Sequence, residues 1–183
     1  MSEELDILKL VCQRLEASSI PYMLTGSFAA NFYAVPRMTR DIDIVIAIQE
    51  EDIIPLFEIF KGDFYIDRES ISEAIKNQSM FNIIHNNTVF KIDFIVRKNE
   101  TYRKIEFQRR HQVMLDNILL WIVSPEDLII SKLFWAKDSF SEMQLKDVNN
   151  LLMTIKNLDK NYIDKWIQHL NLHEVFQKVQ FNA

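Results

Sequence analysis

Asp41 and Asp43 stand two residues apart at the front of the apolar run "RDIDIVIAI", and a third acid, Asp93, lies in a similar run, "KIDFIV". Strand periodicity sends Asp41 and Asp43 to one face, about 7 Å apart along the chain. Ile42, Ile44, Ile46 and Ile48 take the other face and fix the register, so the charges cannot slip inward. Two like charges this close oppose each other's ionisation unless a cation lies between them. A hard cation with oxygen ligands, Mg²⁺ or Mn²⁺, resolves the conflict. If the strand of Asp93 lies beside the first, three carboxylates can hold two metal ions in the arrangement used for in-line phosphoryl transfer. One ion activates an attacking hydroxyl while both neutralise charge on the phosphate and the leaving group.

The chain has only two glycines, and one of them, Gly26, precedes Ser27 in "LTGSFAANFY". A glycine there lets the backbone pass close to a triphosphate, and a helix beginning at Ser27 offers free N–H groups to an anion. A Gly-Ser pair alone is an ordinary turn, and Asp-x-Asp at a strand end is an ordinary solvated edge. In this order, about fifteen residues apart, they form one constellation: a phosphate seat and a metal seat. Arg37 and Arg40, just before the acid pair, either face the charge developing on a leaving pyrophosphate or neutralise the aspartates structurally.

The elements that must position these residues follow from local pattern. "SEELDILKLVCQRLEAS" has helical apolar spacing and an acidic first turn. "IPYMLTG" is a short strand, "SFAANFY" a short helix and "RDIDIVIAI" a strand. "EEDIIPLFEIF" is helical, with Pro55 as a kink or a start. "SISEAIKN" carries a capping-box pattern, Ser70 with Glu73. Two hairpins follow, turning at Asn86-Asn87 and at Asp116-Asn117. Ser124, Pro125, Glu126 and Asp127 open a helix, and from Ser141 only helical patterns occur. The expected fold is α+β: a mixed β-sheet with flanking helices over residues 1–123, then a helical C-terminal part over 124–183.

Composition bounds the rest. With 48% apolar residues in 183, the chain can bury a sizeable core. No apolar run approaches the ~18 residues of a bilayer crossing, and the acidic amphipathic start fits neither a signal nor a transit peptide. The lone Cys12 leaves no intrachain disulfide, so a cytoplasmic location is expected. A net charge of −5 argues against a surface that binds nucleic acid throughout. One basic stretch, "VRKNETYRKIEFQRRHQ", is either an RNA-facing edge or a charge-defended loop and edge strand. Trp121, Trp135 and Trp166 lie on apolar patterns and read as core.

Together "LTGS", "RDIDIVI" and "KIDFIV" resemble the signature of the nucleotidyltransferase superfamily, the polymerase-beta-like fold. "RMTRDIDI" and "SPEDLIISKL" resemble its minimal bacterial branch, which includes abortive-infection type toxins; the resemblance spans roughly residues 20 to 155. It implies that Gly26 and Ser27 contact nucleotide phosphates and that Asp41 and Asp43 bind the metals. Asp93 would complete the site and help deprotonate the acceptor. In the toxin branch a helix lysine and a later aspartate support nucleotide binding. Lys132 and Asp147 match those positions, Lys137 less closely, with a solvated helix lysine as the alternative for Lys132. The implied activity moves a nucleoside monophosphate from NTP to an acceptor hydroxyl on RNA, protein or a small molecule, and the implied partners include a cognate antitoxin. A catalytically silent nucleotide-binding or toxin–antitoxin partner module is the alternative. The oligomeric state stays open.

Overall fold

The computed structural model describes residues 3–39, 41–139 and 141–181. Its first helix, α1 (Glu3–Ala17), carries Glu3, Glu4 and Asp6 in the first turn and Arg14 in the last, charges that complement the helix dipole. The chain then runs through β1 (Tyr22–Thr25) into α2 (Gly26–Tyr33) and back as β2 (Asp41–Ile46). Ile42, Ile44 and Ile46 are fully buried, as the alternation requires. α3 (Ile53–Phe60) takes Pro55 in its first turn, where no intrahelical donor is lost. β3 (Phe64–Tyr65) and α4 (Arg68–Asn77) lead into the hairpin of β4 (Met80–His85) and β5 (Lys91–Val96). After α5 (Thr101–Gln108) come β6 (His111–Leu115) and β7 (Ile118–Ile122), then α6 (Pro125–Ala136), α7 (Glu142–Thr154), α8 (Lys160–His169) and α9 (His173–Phe181).

Among the described residues the strands form one seven-stranded sheet in the order β3-β4-β5-β2-β1-β7-β6. It is mixed: β2 pairs parallel with β5 and β1 parallel with β7, while the other pairs are antiparallel. The expected α+β architecture with helices on a mixed sheet is what forms. Asp127, fully buried at the start of α6, ties the helices together. It accepts from Arg109 Nε at the end of α5 (2.8 Å), from Tyr162 Oη of α8 (2.7 Å) and from its own N-cap, Ser124 Oγ (2.6 Å). No helix among the described residues is long and apolar enough to cross a membrane.

Several local expectations are corrected. The β4–β5 turn places its left-handed residue at Val89 (φ 59°) rather than at Asn86-Asn87, because it spans more than the two residues of a tight hairpin. The β6–β7 turn does use Asp116 and Asn117 in left-handed conformations. α4 is capped by Asp67, whose carboxylate accepts from the Ser70 N–H at 2.8 Å, so Ser70 is inside the helix. The basic stretch contains a helix, α5, with Tyr102, Glu106 and Phe107 buried. Its arginines turn inward: Arg103 meets Glu106 and Ser131, and Arg110 stacks on Phe107 and Trp121. Trp166 is core, but Trp135 is 61% exposed.

Candidate active site

β2 and β5 run parallel and in register, with Asp43 opposite Asp93 and Asp41 opposite Lys91. Register partners on neighbouring strands point to the same face across roughly 4.8 Å. The third acid therefore faces its companions. Asp93 is 5% exposed, and its Oδ1 is buried without a hydrogen-bond partner. The other oxygen, Oδ2, accepts from Lys91 Nζ at 2.8 Å, and the same ammonium lies 3.7 Å from Asp41 Oδ1. Burial pushes the Asp43 carboxyl above the usual range, and the neighbouring charges of Asp93 and Asp41 add to the shift. A cluster held in this way is short of positive charge.

Gly26 is the first residue of α2 and has φ +66°. Its hydrogen faces Asp43: a Cβ there would fall 1.9 Å from Asp43 Oδ2. The glycine thus gives room to the acid itself as well as shaping the strand–helix junction. No side chain caps α2, which leaves its first N–H groups available to an anion.

Beside it lies a chain of buried polar contacts. Arg37 donates to Asp147 through Nε (2.8 Å) and Nη2 (2.9 Å), and Nη2 also reaches Ser27 Oγ at 2.6 Å. Lys132 Nζ donates to the same carboxylate at 2.8 Å and to Gln144 Oε1 at 3.1 Å. Lys132 is 2% exposed, which removes the solvated alternative. Burial works against the charge of Asp147, but Arg37 and Lys132 outweigh it and hold the carboxyl below its ordinary range. Lys137 is elsewhere, donating to the Leu170 carbonyl at 3.2 Å. Arg40 lies outside the described residues.

Of these groups Gly26, Ser27, Asp43, Lys132 and Gln144 line a cleft of about 250 Å³, together with Trp135; Asp41, Asp93, Arg37 and Asp147 lie behind or beside it and are not in its lining. Sequence reasoning took Lys91 only as a neutralising neighbour of Asp93, read Trp135 as core and passed over Gln144. Lys91 was detectable, since it precedes Asp93 by two residues and so shares its face. Gln144 had no such signal, because only the packing of α7 on α6 brings it in.

Oxygen donors on adjacent strands, with one buried carboxylate oxygen unpartnered, suit a hard divalent cation. Among the described residues no three acidic, histidine or cysteine side chains form a ready-made cage. Lys91 bridges Asp41 and Asp93 instead.

No family model and no curated protein matches the sequence. Solved structures do match in shape. An antigenic nucleotidyltransferase-like protein from Paracoccidioides brasiliensis aligns over 94% of this chain and 91% of its own, at 14% identity and TM-score 0.59. ANT(2")-Ia in complex with adenylyl-2"-tobramycin aligns over 94% and 99%, at 10% identity and TM-score 0.63. The lincosamide antibiotic adenylyltransferase LnuA, with lincomycin bound, aligns over 85% and 99%, at 15% identity and TM-score 0.53. The acids that meet across β2 and β5, with a glycine-led helix beside them, are thus carried on the nucleotidyltransferase fold.

Proposed function

We propose that this protein is a metal-dependent nucleotidyltransferase that moves a nucleoside monophosphate from NTP to an acceptor hydroxyl. The observation that carries the reading is the pairing of Asp43 with Asp93, with Asp41 on the same face. Asp41, Asp43 and Asp93 would hold Mg²⁺ or Mn²⁺, two ions when nucleotide is bound. When bound, the metal supplies charge neutralisation at the phosphate and lowers the pKa of the attacking hydroxyl.

The chain's own residues divide the remaining work. The start of α2, with Gly26 and Ser27, seats the phosphates, and Arg37 and Lys132 supply positive charge towards the leaving pyrophosphate. Asp147 holds those two cations in place. The acceptor oxygen bonds to the α-phosphorus as the bond from that phosphorus to the bridging oxygen of pyrophosphate breaks. Asp93 takes the hydroxyl proton. Two fold neighbours, one named as a lincosamide antibiotic adenylyltransferase with lincomycin bound and one in complex with adenylyl-2"-tobramycin, support transfer to a small molecule. RNA and protein hydroxyls remain acceptors to test, as does a toxin–antitoxin or phage-defence setting in the cytoplasm.

The test is incubation of each radiolabelled NTP with cell extract and Mn²⁺, followed by separation of RNA, protein and small molecules. Label should enter one fraction with the wild type and none with Asp43→Ala. A second reading, a nucleotide-binding module without turnover, draws on Lys91 lying between Asp41 and Asp93. Calorimetric NTP–metal binding with no labelled product in any fraction would favour it.

A further inference from the structure

The cleft at Asp43 does not end there. Thr25, Ile95, Ser131 and Trp135 also line a second compartment of about 140 Å³, which continues to Val45, Phe134, Arg97, Lys98 and the Arg103–Glu106 pair. Neither compartment alone reaches the ~300 Å³ at the lower end of small-molecule sites, but the two together do. Their linings differ in kind. Asp43, Gly26, Ser27 and Lys132 belong to the first compartment only. The second is walled by Val45 and Ile95, each two residues beyond an acid on β2 or β5 and so roughly 7 Å further along the strand. Arg103 is already paired with Glu106 at 2.9 Å and Arg97 lies over the Phe107 ring, so the walls of Val45, Ile95 and Phe134 leave room for a flat ring.

Trp135 stands at the junction. Its neighbours on α6, Ile129, Ile130, Leu133 and Ala136, are fully buried, whereas Trp135 itself is 61% exposed. Phe134 beside it already carries the Arg103 guanidinium, 4.9 Å from its ring centroid. Trp135 has no ring or cation partner among the described residues.

We propose that Trp135 is the platform on which the base of the bound NTP stacks, with the second compartment receiving that base. The inference rests on the nucleotidyltransferase reading and adds to it where the nucleoside lies. Stacking is tolerant of base identity, because every base has a π-face. The platform therefore favours nucleotides over bare phosphates and does not by itself choose among bases.

The experiment compares NTP with inorganic triphosphate by calorimetry in Mn²⁺, using the full chain as wild type, Trp135→Ala and Trp135→Phe. Removing a stacking partner costs about 1–3 kcal/mol, so Trp135→Ala should weaken NTP binding roughly 5- to 150-fold. It should leave triphosphate binding unchanged, and Trp135→Phe should recover most of the loss. Equal weakening of both ligands would mark a structural role and overturn the proposal. Unchanged NTP affinity in Trp135→Ala would also overturn it, and with slower transfer would assign the compartment to the acceptor. In both cases the nucleotidyltransferase reading stands. If the wild type binds neither ligand, that reading fails as well.

Discussion

The carboxylate of Asp43 lies over the α-carbon of Gly26, so close that a methyl group there would fall 1.9 Å from Oδ2. One residue begins α2, the helix proposed to seat the phosphates, and the other stands among the acids. Their contact locks the two halves of the site together. Gly26→Ala is therefore expected to act twice. A left-handed non-glycine residue costs on the order of 1–3 kcal/mol, visible in urea denaturation. Displacement of Asp43 should also abolish Mn²⁺ binding by calorimetry. A variant with wild-type stability and Mn²⁺ affinity would show that neither constraint operates.

Asp147 holds two cations, and the consequences of losing it differ from those of losing either one. Asp147→Ala leaves Lys132 buried without its carboxylate, and breaking a buried pair from one side typically costs about 3–5 kcal/mol. Lys132→Met leaves Asp147 still bound by Arg37 through two hydrogen bonds. Its loss of stability should be clearly smaller, although NTP affinity should fall with it. Chemical denaturation of the two variants side by side tests the order. Equal destabilisation would mean that Arg37 does not compensate.

Much of this was visible before any coordinates. Isoleucine alternation located β2, and the same alternation placed Asp41 and Asp43 on one face, because a strand's period is set by its backbone. The parallel pairing of β2 with β5 was not legible, since pairing depends on long-range packing; only the like character of the two runs suggested it. α5 was missed because arginines and lysines are scattered through its apolar positions. Their charge hid the buried Phe107 and also Tyr102 and Glu106, whose partners on α6 and α8 lie far away in sequence. Trp135 misled for the opposite reason. An apolar residue in an apolar helix reads as core unless something shows that a cleft opens beside it.

Lys91 contacts both Asp93 and Asp41, so it competes with any divalent ion for the same oxygens. Lys91→Ala should bind Mn²⁺ more tightly in the absence of nucleotide. The lysine is about one third exposed, with 38% of its side chain accessible. Partly exposed pairs of this kind are worth about 1 kcal/mol or less, so the gain should not exceed roughly fivefold. Calorimetric titration with Mn²⁺ measures it directly. Weaker binding in the variant would mean that Lys91 positions the carboxylates for the ion.

Asp43 makes the last expectation a matter of sign. Burial, followed by the charges of Asp93 and Asp41, raises its folded-state pKa above the unfolded value. The folded protein therefore holds this proton to higher pH than the unfolded chain does. The associated stability is complete below the ordinary aspartate range and is lost as pH rises through the raised value. In EDTA, raising the pH through that value should thus destabilise the protein as Asp43 ionises, and Asp43→Asn, which cannot ionise, should then melt at a higher temperature. The gap between the two should widen from acid towards neutral pH. Saturating Mn²⁺ should reverse the order, because only the aspartate gains from the cation. Melting curves of both proteins across pH, with EDTA and with Mn²⁺, decide the point. A gap that stays constant with pH would mean that Asp43 ionises without penalty, and the charge deficit inferred for the cluster would be absent.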